Sequence, residues 1–195
     1  MDMNEAQSKH DEETYKELGR FVVAFSHLLH SLESSTIFLF ELGPYQHAIR
    51  IQAALADRTA APIAASFFSV FFKRWEGALS KDEESIMACV RKEIDEIIKE
   101  RNRLMHDVWL SKSVGGDPGP HDLSRLRVRA HGKGVEYESK DYSPASIREM
   151  VAKVERLVSV VNASTWYRRE GQLGPELTNR LRIVNGRVVR EPTKA

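Results

Sequence analysis

Between Glu12 and Leu42 the residues Leu18, Val22, Phe25, Leu29, Leu32, Thr36 and Leu39 follow one another in alternating steps of four and three. Those steps average close to one α-helical turn, so they draw a single apolar stripe along a long helix that has to bury that stripe against something. Ile86, Val90, Ile94, Ile97, Leu104 and Val108 repeat the pattern along residues 81–110, and Ile147, Val151, Val154, Leu157 and Val161 repeat it along 144–167. Three long one-sided helices in one chain satisfy their stripes by packing on each other. The predicted fold is therefore all-α, an up-and-down bundle of four to five helices.

Local signals set the boundaries. Gly43-Pro44 ends the first helix, and Pro44 can open PYQHAIRIQAALAD, where Ile49, Ala53 and Leu55 give a weaker stripe. A helix over 62–79 carries Phe67, Phe68, Phe71, Phe72 and Trp75, an aromatic cluster that reads as core. Ser80 and Glu83 form a capping box at the start of the next helix, and Ser143-Pro144 starts the last one. VGGDPGP reads as a loop. LRVRA and GVEYES, on either side of His131-Gly132-Lys133, predict a hairpin inserted at about residues 123–139, and RIVNGRVV predicts a tight hairpin near the C-terminus. A bundle domain over 1–170 and a basic tail over 171–195 follow. From Arg168 onward seven basic residues stand against three acidic ones, so the tail could track a phosphate backbone or be a merely solvated end.

Composition narrows the function. A length of 195 residues fits one domain, and a net charge of +1 leaves nucleic-acid contact to local patches. The single cysteine, Cys89, excludes an intramolecular disulfide or a cysteine-rich zinc site and fits a reducing compartment. The acidic N-terminus is unlike a secretory signal, and IFLFEL and AAPIAASFFSVFF are each shorter than the roughly 20 apolar residues of a membrane span. The expectation is a cytoplasmic protein with no membrane partner.

RNRLMHD, residues 101–107, breaks the third stripe with a charge. Arg101 lies within about 60° of Ile94, Ile97, Ile98, Leu104, Met105 and Val108 on a helical wheel. An unpaired buried charge costs several kcal/mol or more, so either a carboxylate meets Arg101 or the stripe at this level faces a cleft that takes an anion. His106 stands one turn after Asn102, while Arg101 is about 140° around the helix from His106. Two copies of this helix across a two-fold axis would bring the arginine of each toward the histidine of the other, which favours a homodimer. The residue types suit phosphodiester cleavage without a metal or other cofactor. Histidine can move the proton of a ribose 2′-hydroxyl or of the leaving 5′-oxygen, arginine can hold phosphoryl oxygens, and an amide can orient the nucleophile. A 2′-hydroxyl makes RNA the substrate.

ERNRLMHD resembles the Arg-polar-x3-His motif of the HEPN family, and FVVAFSHLLHSLE and SPASIREMVAKVERLVSVV resemble helices of such proteins, so the likeness runs from about residue 15 to 167. The resemblance implies a dimeric helical bundle with metal-independent endoribonuclease activity, in which Arg101 stabilises phosphate, Asn102 is the polar second member and His106 is the acid/base. Lys99, Arg103 and Asp107 flank the motif as candidate substrate-binding residues, and an antitoxin or other regulatory protein is a further possible partner. Many members carry glycine after the histidine, where Asp107 stands here. Toxins of the nucleotidyltransferase pairs carry a tyrosine two places past it, where Val108 stands, so tyrosine modification is not predicted.

Rival readings attach to several of these residues. Arg20 with His27 and Arg125 with His131 match the same loose spacing, but each lacks the polar residue after the arginine. Arg101 could instead make an internal ion pair, with His30 or Glu33 as its partner, in a non-catalytic interaction or RNA-binding module. His27, His30 and Glu33, with His47, offer metal ligands, yet steps of three drift about 60° each and fan the trio apart. Trp109 and Trp166 could stack on bases but fit packing anchors better, and Cys89 has no histidine near it in sequence to make it a nucleophile.

Overall fold

The computed structural model describes residues 3–40, 51, 53–55, 58–111, 123–131, 134–166, 177–179 and 181–190. Four α-helices dominate them: α1 (Met3–Phe40), α2 (Ala60–Arg74), α3 (Lys81–His106) and α4 (Pro144–Trp166). Strands β1 (Val108–Ser111), β2 (Leu123–His131) and β3 (Gly134–Tyr142) form one antiparallel sheet. A 3-10 turn at Leu177–Asn179 precedes a second hairpin of β4 (Leu181–Val184) and β5 (Arg187–Arg190). The protein is the helical bundle with small β appendages that the stripes predict. The helix expected to open at Pro44 falls largely outside the described residues, although 51 and 53–55 are helical and Leu55 is buried. The VGGDPGP loop also lies outside them.

Two compact units divide the chain, one of Met1–Ala24 with Lys99–Lys153 and the other of Phe25–Ile98 with Val154–Ala195. In the first unit the buried line of α1 is Thr14, Glu17, Phe21 and Ala24, displaced from the expected Leu18 and Val22, and Val22 is 41% exposed. Two polar residues hide that line from a hydropathy pattern. Thr14 can be buried because its hydroxyl donates to His10 O at 2.8 Å. Glu17 can be buried because Arg20 and Arg148 of α4 both donate to its carboxylate. Arg148 also donates to Glu13 at 2.7 Å.

The sheet of this unit replaces the expected end of the third helix. Val108 continues the four-step spacing from Leu104 and reads as helix, but α3 stops at His106 and residues 108–111 become β1. Val108 is β-branched and Trp109 aromatic, and both fit an extended strand. Pairing with β2, in the register Val108↔Leu126 and Ser111↔Leu123, overrides the weak helical preference of the run. The β2–β3 hairpin is the predicted one, with Leu123 opposite Tyr142 and His131 opposite Gly134.

The second unit packs Leu28, Leu32, Ile63, Phe67, Phe68, Phe71, Met87, Val90, Ile94, Val154, Leu157 and Val161 into its core, each at most 2% exposed. Phe67 meets Phe68 edge to face, 5.0 Å between centroids. The capping box forms at α3, where Ser80 N donates to Glu83 Oε2 at 2.9 Å and Glu83 N donates back to Ser80 Oγ at 3.3 Å. In the β4–β5 turn Asn185 and Gly186 have φ of 51° and 72°, the two positive values that a type I′ hairpin needs. This hairpin is not merely solvated, since Leu177, Leu181 and Val188 are buried. Buried Glu93 holds it: its carboxylate takes Val188 N at 3.0 Å and the guanidinium of Arg156, which also donates to Val188 O.

Among the described residues one helix is long and apolar enough to cross a membrane, the stretch Glu5–Phe40 of α1, with a mean hydropathy of 1.2 over its best window. The two short runs weighed separately in the sequence do not disclose it. Phe21, Phe25, Leu28 and Leu32 of that stretch are buried within the protein, and a core helix passes the same test.

Removing the Glu93 carboxylate leaves a buried amide and a largely buried guanidinium without it. Glu93→Ala is expected to cost about 2–4 kcal/mol. Urea unfolding of parent and variant checks this, and a loss under about 0.5 kcal/mol would mean the carboxylate does not hold the hairpin.

Candidate functional site

The last two turns of α3 and Asp107 just beyond them carry the six candidate residues around the RNRLMHD stretch, so the way this helix ends decides the geometry. Its final carbonyls lack helical partners. Asp107 N still reaches Arg103 O at 3.2 Å, and the indole of Trp109 donates Nε1–H to Leu104 O at 2.9 Å. Trp109 is half-buried and its ring lies 5.6 Å from that of buried Tyr142, so this tryptophan is a packing anchor that also caps the helix. His106 is the last helical residue and is exposed. Cations are favoured there by the negative end of the helix dipole.

Five of the six candidates, Lys99, Asn102, Arg103, His106 and Asp107, line one surface depression of about 300 Å³. The spacing explains the grouping, because residues three, four and seven apart share a helix face. The depression lies within the first unit. Arg101 is not among its lining residues. It is half-buried, neither sealed at the centre of the stripe nor fully solvated, and its Nη1 donates to Asn102 Oδ1 at 3.2 Å. The stripe itself weakens at this level: Leu104 is buried but Met105 is 39% exposed.

A carboxylate largely withdrawn from solvent stands at the neighbouring residue, Glu100, which sequence reasoning missed. Glu100 has a side chain only 14% exposed, and its Oε1 accepts Tyr142 O–H and Lys140 Nζ–H, each at 2.5 Å. Its Oε2 accepts Arg103 Nη1–H at 3.3 Å. Burial pushes the Glu100 carboxyl up, but the hydrogen bonds from Lys140 and Tyr142 and the charges of Lys140 and Arg103 outweigh it, and the net direction is down. The three-residue spacing of Glu100 and Arg103 was a readable signal for their pair. Nothing local predicts that β3 would bring Lys140 and Tyr142 to the same oxygen.

Other nominated residues do not converge on a site. His27 and His30 are exposed on α1, and His30 Nε2 lies 3.4 Å from Ser34 Oγ. Among the described residues no three His, Cys, Asp or Glu side chains gather in a way that could hold a metal ion. His47, the side chains of Arg125, His131 and Trp166, and the tail residues Arg168 and Arg169 lie outside the described part. Cys89 is half-buried and its thiol donates to Gly186 O at 3.3 Å. Burial and the Glu93 charge push that thiol up, away from the thiolate a nucleophile needs.

Compared with protein-family models, with curated proteins and with solved structures, the chain matches none of them.

Tyr142→Phe removes one donor to a charged, largely buried acceptor and is expected to cost about 1–2 kcal/mol by denaturant unfolding. A pH test follows from Glu100. Because its folded-state value is lowered, its contribution is fully present above the ordinary glutamate value of 4.5 and fades as pH falls through the depressed one. The stability gap between the parent and Glu100→Gln should therefore hold steady from neutral pH down to that ordinary value and narrow below it. A gap that widens in acid would contradict the assignment.

Proposed function

We propose that this protein is a metal-independent endoribonuclease that cuts RNA by 2′-hydroxyl attack at a site completed by a second copy of the chain. The observation that carries this reading is the shared depression: Asn102 and His106 line it one helical turn apart, with Lys99 and Arg103 beside them and Arg101 tied to the Asn102 amide. Asn102, His106, Lys99 and Arg103 are residue types that such a reaction uses, gathered on one accessible face, with Arg101 beside it.

The chemistry balances without a further reactant. The His106 imidazole takes the 2′-O–H proton, the 2′-oxygen attacks phosphorus, and the bond to the 5′-oxygen breaks as that oxygen takes a proton back from the imidazolium so formed. The products are a 2′,3′-cyclic phosphate and a 5′-hydroxyl. Arg101 offers donors to the non-bridging oxygens as charge builds, and Asn102 can orient the nucleophile. The placement of the arginine is the reason for the dimer. Arg101 and His106 of one helix are about 140° apart, so two copies related by a two-fold axis would give two sites, each with the arginine of one chain and the histidine of the other.

His106→Ala is expected to lower cleavage of single-stranded RNA in EDTA by about 10²- to 10⁴-fold, with no cleavage of the DNA of the same sequence. Mixing Arg101→Ala with His106→Ala protein separates a shared site from two independent ones. Random re-pairing should restore about a quarter of parent activity, because half the dimers are mixed and each mixed dimer keeps one intact pairing. A parent that never cuts RNA in EDTA, or a His106→Ala variant as active as its parent, sinks the enzyme reading in favour of a non-catalytic module.

A further inference from the structure

We propose that Glu100 is a positioning residue of the depression: with Tyr142 and Lys140 it forms a clamp that fixes the Arg103 guanidinium at the rim where a phosphoryl group would enter. The proposal rests on the endoribonuclease reading for what Arg103 meets, but the clamp has its own physical signature.

A glutamate and an arginine three apart on a helix surface make a weak, mobile pair. Glu100 is not in that situation. Its side chain is 14% exposed, and its Oε1 is occupied by two donors from β3, Tyr142 O–H and Lys140 Nζ–H, at 2.5 Å each. Tyr142 is 1% exposed and held between its own strand and the Trp109 ring, so one of the two donors cannot drift. Oε2 is thereby left aimed along the helix, where it receives Arg103 Nη1–H at 3.3 Å.

That bond uses one of the five N–H groups of the guanidinium. Arg103 keeps 35% of its side chain exposed and lines the depression, so other N–H groups remain for an anion. Holding a donor in place before the substrate arrives is what makes it effective as charge develops, because no reorganisation is then needed. Lys140 has a second effect. It supplies a positive charge against Glu100, which would otherwise present an uncompensated carboxylate next to a phosphate site.

The test compares the parent with Lys140→Met, Tyr142→Phe and Glu100→Gln by two readouts. The first is the side-chain ¹⁵N spectrum of Arg103, assigned by its loss in Arg103→Lys. Restricted rotation of the guanidinium in the parent, lost in Lys140→Met and Tyr142→Phe, is the expected result. The second is RNA cleavage in EDTA, where kcat should fall about 10- to 100-fold with KM nearly unchanged, the pattern of a misplaced but still present group. Lys140 is 48% exposed, so its variant keeps the test valid if Tyr142→Phe fails to fold. An Arg103 signal that is mobile in the parent, or equally restricted in every variant, overturns the clamp whether or not RNA is cut. Loss of restriction in the variants of a parent that never cuts RNA supports the clamp and overturns the enzyme reading instead.

Discussion

Buried carboxylates on α3 are the constraint around which much of the chain is arranged. A carboxylate removed from water has to be paired and hydrogen-bonded or it costs several kcal/mol, so each one on this helix must be met by donors from elsewhere. Glu83 receives the Ser80 amide within its own capping box and the Leu177 amide at 2.9 Å. Glu93 receives Val188 N and Arg156. Glu100 receives Tyr142, Lys140 and Arg103. Leu177, Val188 and Tyr142 lie in segments that follow α3 in the chain, so the same helix that supplies an apolar stripe also supplies the hooks for the appendages. Hydrophobic burial brings the helices together without direction. The carboxylates add direction, because a donor must arrive at a particular oxygen.

The consequence for the site is electrostatic. Lys99, Arg101 and Arg103 stand close in sequence to Glu100 and Asp107, and a count of charges alone would make this helix end only weakly positive. Glu100 is engaged by donors from β3, with a cation among them, and it is not among the residues that line the depression. His106 adds a further donor at the negative end of the helix. Lys140 thus sets a cation beside Glu100 that the string ERNRLMHD does not show. A strand that looks like decoration in the sequence changes the chemistry of a helix end.

The sequence made the helices legible because their stripes are long. α4 starts at Pro144 and buries Ile147, Val151, Val154, Leu157 and Val161 as the spacing requires, and Asn185-Gly186 makes the turn its chemistry predicts. Where the reading slipped, a polar residue had been buried or an apolar one diverted. Thr14 and Glu17 occupy the core line of α1 because each has a hydrogen-bond partner, and hydropathy cannot see partners. Val108 and Trp109 left the helix for β1 because the pairing that claims them comes from residues 123–126, a contact of long sequence separation. At the site, the helix periodicity was enough to group Lys99, Asn102, Arg103 and His106. It also predicted burial for Arg101, which is half-buried beside Glu100, whose side chain is 14% exposed.

If the depression does meet RNA, its size and charge set what kind of recognition is possible. Each phosphate neutralised on a single strand contributes a salt slope of about −0.7 to log K, so affinity built from counterion release needs many cations in a row. Here Arg103 and Lys140 are partly spent on Glu100, leaving a cluster that spans about one or two phosphates at a helix end. A net charge of +1 over 195 residues adds no long-range attraction. Tight, indiscriminate binding of long RNA is therefore not what this surface is built for. Contacts of this kind orient one phosphodiester against Asn102 and His106, and the energy that keeps the strand there has to come from a second copy of the chain, from bases seated on another surface, or from a partner that delivers the strand. A site designed in this way discriminates by whether a scissile phosphate can be presented, which demands an unpaired and bendable stretch whose 2′-hydroxyl can turn in line with the bond to be broken.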